Sequence, residues 1–340
     1  MVVLGIESSC DETAAAVVLN GDTILSNVVA SQVDIHRRYG GVVPEIASRH
    51  HIEAIIPVIE QALGDAGISL GDIEGIAVTR GPGLIGSLLV GLSVAKSIAF
   101  ARRIPFVGVN HIAGHIGALY LSDTVPPFPF VALVVSGGHT NIYRVEAHDR
   151  FILLGQTRDD AAGEAFDKAA KMLDLGYPGG IVIDRIARQG DPTAIHFPRA
   201  MKMSLDFSFS GLKTSLLNYI KQLEPPIQPD FIPHIAASFQ DAIVDVLVEK
   251  TVRAAEESTI SRVAISGGVA ANSRLRHCLL ERARQKGIDV FIPPPILCTD
   301  NAAMIAAVGT YFLRQGRSDP FDLNAVSRWA LSAGNSRETK

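Results

Sequence analysis

The sequence predicts an α/β protein of two duplicated lobes, each with its strands and helices in the order βββαβαβ. Three observations carry this expectation. The chain has 340 residues, long for one hydrophobic core, since single cores stop growing near ~250–300 residues. Short β-branched apolar runs alternate with longer runs of helical period. The pattern of the first hundred residues restarts at Phe130, as in an internal duplication.

Residues 2–7, 14–19 and 23–30 are apolar and β-branched, and Asn20-Gly21-Asp22 between the last two is a hairpin turn signal. Residues 43–63 then recur at helical spacing and stop near Gly64. A strand over 73–79, a helix over 84–101 and a strand over 104–109 complete the first unit. In the second unit, strands are expected over 131–135, 141–145 and 151–157, followed by helical insertions. A long amphipathic helix over 231–256, a strand over 262–265, a helix over 272–286, a strand over 290–292 and a closing helix over 300–314 follow. Pro225, Pro226, Pro229 and Pro233 mark residues 223–233 as a rigid linker. The resulting division is an N-terminal lobe over 1–128, a C-terminal lobe with insertions over 129–322, and a tail over 323–340.

Strands alternating with helices imply mainly parallel sheets covered on both faces, with ligands outside the carboxyl ends of the strands. This element order resembles the superfamily of actin, sugar kinases and Hsp70 chaperones, the ASKHA fold built from RNase H-like units. That resemblance implies actin-like lobes with a central nucleotide cleft; it does not name a reaction.

Hydrophobic residues make up 47% of the chain and charged residues 19%, with 30 glycines, which describes a folded enzyme and excludes a disordered, charge-rich chain. The net charge of -4 gives no overall attraction to a polyanion, so a nucleic acid must be held by a local patch or a helper protein. Cys10, Cys278 and Cys298 fit neither a disulfide framework nor a tetrathiolate zinc site, which points to a reducing cytoplasm. Residues 1–5 carry no basic leader, and Glu7, Asp11 and Glu12 interrupt any apolar stretch, so no signal peptide is expected. The apolar run 84–101 approaches spanning length, but Gly86, Gly91, Ser93, Lys96 and Ser97 make it a buried helix packed through small residues, and no membrane is expected.

Three turns rich in glycine or hydroxyls follow apolar strands: residues 7–13 (ESSCDET), 136–140 (SGGHT) and 266–272 (SGGVAAN). Glycine lets backbone N–H groups approach a phosphate, and Ser or Thr adds donors, so such turns form anion-binding nests. Each alone is also an ordinary tight turn; three at matching places point to nucleotide binding. His111 and His115, four apart on a helix, face the same way and can grip one metal. A zinc protease of the His-Glu-x-x-His type needs glutamate where this chain has Ile112. Asp300, at the matching place in the second repeat, is either the N-cap of the closing helix or a third ligand reaching across from the other lobe. Two imidazoles and one carboxylate leave coordination positions open, which suits catalytic iron(II), zinc or another divalent ion.

Residues 5–13, the run GGVVPEIASR at 40–49, Gly81-Pro82-Gly83, residues 111–115, 136–140, GEAFDK at 163–168, YPGG at 177–180, FSFSGLK at 207–213 and 266–272 together resemble the TsaD family of tRNA threonylcarbamoyltransferases over nearly the whole chain. The resemblance implies a metal site of His111, His115 and Asp300, holding iron(II), with zinc or magnesium as alternatives. It also implies that Val134, Val135, Ser136, Gly137, Gly138, Asp167, Gly180, Asp184 and Asn272 bind threonylcarbamoyl-adenylate. Otherwise Asp167 and Asp184 are helix-surface charges, Gly180 a turn residue and Asn272 an N-cap. The implied reaction transfers threonylcarbamoyl to the exocyclic amine of the adenosine 3′ of the anticodon in tRNAs reading ANN codons, releasing AMP. The implied partners are tRNA, a TsaB-like paralogue of the same fold and a TsaE-like small ATPase.

Basic sets that could meet RNA phosphates are His36-Arg37-Arg38, Arg49-His50-His51, Arg102-Arg103, and Arg274, Arg276, Arg282, Arg284 and Lys286 along one helix. Such runs are equally solvated faces. Asp11 and Glu12 are candidates for the base that takes the amine proton. The competing readings are a metallopeptidase, from the histidine pair alone, and a nucleotide-switched scaffold, from an actin-like lobe pair alone.

Overall fold

Two five-stranded sheets carry the same strand order. In the first, β1 (Val2–Glu7), β2 (Glu12–Leu19), β3 (Thr23–Ser31), β4 (Gly75–Gly81) and β5 (Phe106–Asn110) lie as β3-β2-β1-β4-β5. In the second, β6 (Phe130–Val135), β7 (Thr140–Ala147), β8 (Arg150–Gln156), β9 (Arg262–Ser266) and β10 (Asp289–Phe291) lie as β10-β9-β6-β7-β8. Read from β8, the second order repeats the first. In both, the opening three strands pair antiparallel and the last two join in parallel. The duplication expected from element order is therefore present in the topology.

The structure, a computed structural model, describes residues 1–223 and 227–331. Its helices are α1 (Val33–Arg37), α2 (Pro44–Asp65), α3 (Ile85–Arg102), α4 (His111–Gly117), α5 (Ala162–Met172), α6 (Gly179–Ala187), α7 (Ser210–Gln222), α8 (Ile232–Glu257), α9 (Ser273–Gln285), α10 (Pro295–Cys298) and α11 (Ala302–Arg314). Of the expected linker, residues 224–226 lie outside the described residues, Pro229 opens a short 3-10 turn, and Pro233 sits in the first turn of α8, where a missing N–H costs nothing. The β2–β3 turn is the expected hairpin: Asn20 and Gly21 both have positive φ, 61° and 86°, as a turn matching the strand twist requires.

The chain divides into two compact units, Met1–Val125 with Pro293–Lys340, and Pro126–Ile292. The first boundary lies close to the expected one after 128, whereas residues 293–322 fold with the first unit and not with the second. Helix α11 packs against β1, β2, β4 and α4, and the reason is its surface. It is built from Ala302, Ala303, Ala306, Ala307 and Gly309, all buried. A Cβ on Gly5 would lie 2.2 Å from the Ala302 carbonyl oxygen, and one on Gly309 2.2 Å from the Ala77 Cβ. Helix and sheet meet backbone to backbone. Of the expected tail, residues 332–340 lie outside the described residues. The part before them is a strap on the same unit: Val326 N donates to Arg80 O, Gly83 N to Ser327 O, and Asn110 Nδ2 to Trp329 O.

The core of the first unit gathers Leu4, Ile6, Ile55, Val78, Leu88 and Leu92. Helix α3, together with the longer segment Pro229–Glu257, is long and apolar enough to cross a membrane by length and composition. α3 buries Ser87, Leu88, Gly91, Leu92, Ala95 and Ala99, packed through small residues as expected, but its opposite face leaves Ile85, Leu89 and Phe100 exposed. α8 buries most of its length in the second unit.

The close approach of α11 predicts that Gly309→Ala destabilises the chain by about 1–3 kcal/mol through overpacking. Gly64→Ala in α2, where a Cβ meets nothing within 4 Å, gains about 0.5–1 kcal/mol from helix propensity. Urea denaturation midpoints of the two variants should therefore move in opposite directions.

Candidate metal centre and nucleotide-binding turns

Helix α4 begins directly at the end of β5. The Asn110 side chain caps it, accepting from Ile112 N at 2.9 Å and Ala113 N at 3.3 Å. Four residues apart, His111 and His115 share a face, and both are buried. Gly114 and Gly117, three apart on the same helix, let α11 come close: a Cβ on Gly114 would meet Ile305 Cδ1 at 2.6 Å, and one on Gly117 Val308 Cγ2 at 2.4 Å. Glycine in a helix costs up to ~1 kcal/mol, and here that cost is offset by bringing the start of α11 beside the histidines.

Asp300 precedes α11. It does not cap it; Asn301 does, its Oδ1 accepting from Met304 N at 3.0 Å. Asp300 instead turns its Oδ1 to His115 Nε2 at 3.3 Å and His111 Nε2 at 3.6 Å. The third ligand expected from the other lobe thus belongs to the same unit as the histidines. One ligand atom from each residue lies within 4.8 Å of the others. With bonds of about 2.1 Å, ligands at tetrahedral angles stand about 3.4 Å apart, so the set has the right size for one divalent ion. Among the described residues, neither ring nitrogen of His115 has a hydrogen-bond partner; the 3.3 Å to Asp300 is an ion-pair distance without hydrogen-bond alignment. A buried imidazole left so costs about 1–3 kcal/mol, a cost that a cation taking the lone pair would remove.

Behind His111 stands Glu7, fully buried at the end of β1. Its Oε2 lies 3.0 Å from His111 Nδ1 and accepts from Thr79 Oγ1 at 2.6 Å; its Oε1 accepts from Ser9 N at 2.5 Å. Burial alone would push this carboxyl up, but His111 and Thr79 hold it below its ordinary value. Burial would likewise push the His111 imidazole down; Asp300 and Glu7 outweigh it and raise it to about 9. The first turn, residues 8–11, adjoins this cluster, with Ser9 Oγ 3.2 Å from His111 Nδ1. Burial, with Asp11 and Asp300, pushes both the Cys10 thiol and the Glu12 carboxyl well above their usual values. The field here is negative, which favours a cation.

The other two turns lie together in the second unit. β6 and β7 are joined by residues 136–139, closed by Ser136 N donating to His139 O at 2.8 Å. After β9, Gly267 has φ +92°, and a Cβ there would lie 2.4 Å from the Val135 carbonyl oxygen. From the other side Gly163, in the first turn of α5, packs so closely that a Cβ would lie 2.6 Å from the Ser136 carbonyl oxygen. Gly137 and Gly138 differ: both are exposed, and a Cβ on either meets nothing within 4 Å. Val134 and Val135 bury their side chains in the core, so they have only main chain to offer a ligand.

The remaining expected residues cluster about α6. Asp167 Oδ1 accepts from Gly179 N at 2.7 Å, capping α6 from another helix. Gly180 follows; a Cβ there would make only an ordinary contact, 3.9 Å from the Phe166 Cβ. Asp184, one turn on, accepts from Ser273 Oγ at 2.8 Å and pairs with Arg188. Asn272, next to Ser273, caps α9 through Leu275 N at 2.9 Å and donates from Nδ2 to Gln240 Oε1 at 2.8 Å. The side chains of Asp167, Asp184 and Asn272 therefore all carry local structural bonds. A non-local cap that sequence reading missed is Asp159, which accepts from Phe209 N, Ser210 N and the hydroxyls of Ser208 and Ser210, fixing the start of α7.

The basic sets are largely spoken for. His36 and His51 are buried, His51 between Thr13 Oγ1 and the Cys10 carbonyl. On α9, Arg274 pairs with Asp241, Lys286 pairs with Glu256, and Arg276 donates to Ala270 O.

The family model described as "TsaD: tRNA N6-adenosine threonylcarbamoyltransferase" matches residues 23–307. The chain is 66% identical over 336 residues to the tRNA N6-adenosine threonylcarbamoyltransferase of Syntrophus aciditrophicus, covering 99% of each. It is 57% identical over 341 residues to that of Geobacter metallireducens, again covering 99% of each. Among solved structures, HypF of T. kodakarensis superposes with a TM-score of 0.63 at 14% identity, covering 92% of this chain and 48% of that one. The activator of 2-hydroxyisocaproyl-CoA dehydratase from Clostridium difficile superposes with a TM-score of 0.55 at 14% identity, covering 93% and 97%. At that identity these two speak for the fold alone.

The double engagement of Asn272 predicts that Asn272→Ala lowers stability by about 1–3 kcal/mol, from the lost cap and the unpaired Gln240 amide. Chemical denaturation of the ligand-free chain measures it.

Proposed function

The chain belongs to the TsaD family of tRNA N6-adenosine threonylcarbamoyltransferases, and we propose that it takes the group from threonylcarbamoyl-adenylate, with a divalent metal at His111, His115 and Asp300. The observation that carries this reading is the converging His–His–Asp set with its unsatisfied buried imidazole. In the proposed reaction the N6 amine of the adenosine 3′ of the anticodon, in tRNAs reading ANN codons, attacks the carbamoyl carbon. The bond from that carbon to the phosphate oxygen breaks, AMP leaves, and the amine gives up a proton.

A bound divalent ion, iron(II) or alternatively zinc or magnesium, supplies Lewis acidity toward carbonyl oxygens. His111 and His115 offer neutral donors and Asp300 a charged one, the mixed set that suits such an ion. The chain's other residues bind the adenylate. Gly137 and Gly138 have no neighbour in the fold that requires glycine; a phosphate approaching their N–H groups does. Gly180 fits the same logic for the nucleoside, with Asp167 and Asp184 as acceptors and Asn272 as a donor beside it. Val134, Val135 and Ser136 contribute main-chain groups and a hydroxyl.

The proposed setting is the cytoplasm, with a TsaB-like paralogue and a TsaE-like ATPase as partners. Exposed Ile52 and Ile56 on α2, with Ile85 and Leu89 on α3 packed beside it, support an apolar partner face.

Metal-loaded protein with those partners, threonylcarbamoyl-adenylate and unmodified tRNA should yield threonylcarbamoyladenosine on digestion and mass analysis. His111→Ala with His115→Ala should lose at least about 100-fold in rate, as expected when the ligands of a metal that stabilises the transition state are removed. Product at the wild-type rate from the double variant would exclude the metal reading.

Gly180→Ala separates binding from folding. Helix propensity should raise stability by about 0.5–1 kcal/mol, while affinity for an adenylate analogue, read by calorimetry, should fall about tenfold or more, the size of a poorly accommodated methyl group.

A further inference from the structure

Glu7 is a carboxylate with no exposure to solvent, and nothing in the reaction as described uses it. A buried carboxylate is costly unless its oxygens are bonded. Its two oxygens meet Ser9 N, Thr79 Oγ1 and His111 Nδ1 at 2.5, 2.6 and 3.0 Å. The first two contacts are donors fixed by the fold: Ser9 N belongs to the turn after β1, and Thr79 lies on β4, the strand paired with β1. Together they aim the remaining lone pairs at one atom, His111 Nδ1. With Nδ1 so engaged, the other ring nitrogen, Nε2, is the one turned toward Asp300.

We infer that Glu7 is a positioning residue for the metal: it holds the proton of His111 on Nδ1, which fixes the ring orientation and presents the Nε2 lone pair to the ion. Neutral imidazole has two tautomers, and only the Nδ1–H form can ligate through Nε2. A carboxylate behind a ligating histidine selects that form and strengthens the ring as a donor. His115, whose ring nitrogens find no hydrogen-bond partner among the described residues, has no such support there, so the two histidines are unequal ligands and His111 is the pre-organised one. Thr79 Oγ1 and the Ser9 N–H act through Glu7, keeping its carboxylate from rotating away, while Ser9 Oγ, 3.2 Å from His111 Nδ1, stands beside the same ring nitrogen.

This inference rests on the metal reading of His111, His115 and Asp300. The test uses the full-length chain, stripped of metal with a chelator, and Zn²⁺ as the probe. In Glu7→Gln the side chain keeps its size but exchanges one acceptor for a donor. Zn²⁺ affinity, measured by competition with a chromophoric chelator, should fall about 10- to 100-fold, the usual effect of removing such a partner. In the Zn²⁺-loaded wild type, ¹⁵N spectra of labelled imidazoles should place the His111 proton on Nδ1 and the metal on Nε2. A folded Glu7→Gln chain with Zn²⁺ affinity within about twofold of wild type, the additivity of an uncoupled site, overturns the inference while leaving the metal site standing. So does a wild-type His111 metallated at Nδ1, a result that needs no variant and decides the matter if Glu7→Gln does not fold. A wild-type chain that binds no Zn²⁺ overturns the metal reading and this inference with it.

Discussion

Helix α11 and the sheet of the first unit touch through their backbones, and the geometry of the His–His–Asp set follows from that contact. Gly5 on β1 and Gly309 on α11 are the points at which a single methyl group would collide with the other partner. Gly114 and Gly117 do the same between α4 and α11. Four glycines in regular structure give up propensity and entropy, yet they let two helices and a sheet approach closely enough for Asp300, from the far end of the sequence, to reach His111 and His115. Interiors are packed to crystal density and transmit small displacements. A methyl group at any of these contacts would therefore displace His111, His115 and Asp300 as well as loosen the core.

The same closeness creates an electrostatic problem that the site itself answers. Glu7, His111 and His115 are removed from water, where an isolated charge is expensive. Glu7 meets this with three hydrogen-bond partners, and His111 with two carboxylates that hold it protonated up to about 9. A divalent ion would take the place of that proton, so the site as it stands is balanced for positive charge. In the second unit the corresponding economy is one of main chain: Gly163 and Gly267 press against residues 135–137 and fix the turn, while the space at the Cβ positions of Gly137 and Gly138 stays open.

Much of this could be read from the sequence because it depends on local rules. Strand period, helix period and the Asn20-Gly21 turn placed most elements within two or three residues. The His111, His115 pair follows from helical spacing alone. What could not be read depends on which surfaces meet. By sequence order α11 continues the second repeat, and only the shape of its Ala- and Gly-rich face returns it to the first unit. Asp300 stands where a helix begins, so its position alone left it either a cap or a third ligand; Asn301, one residue later, takes the cap. Asp159 and Asp167 cap helices distant in sequence, for which no spacing rule exists. Glu7 read as one member of a turn motif; its partners on β4 and α4 are set by strand pairing. On α9, Arg274 and Lys286 pair with Asp241 and Glu256 of α8, partners that no spacing rule supplies.

We propose that one divalent ion is held by His111, His115 and Asp300 in the first unit. X-ray absorption at the metal edge of the loaded chain tests it directly. The spectrum should show a first shell of nitrogen and oxygen at about 2.0–2.2 Å, with the multiple-scattering pattern of two imidazoles and no sulfur. A shell containing a thiolate at about 2.3 Å, or one without imidazole, would contradict it.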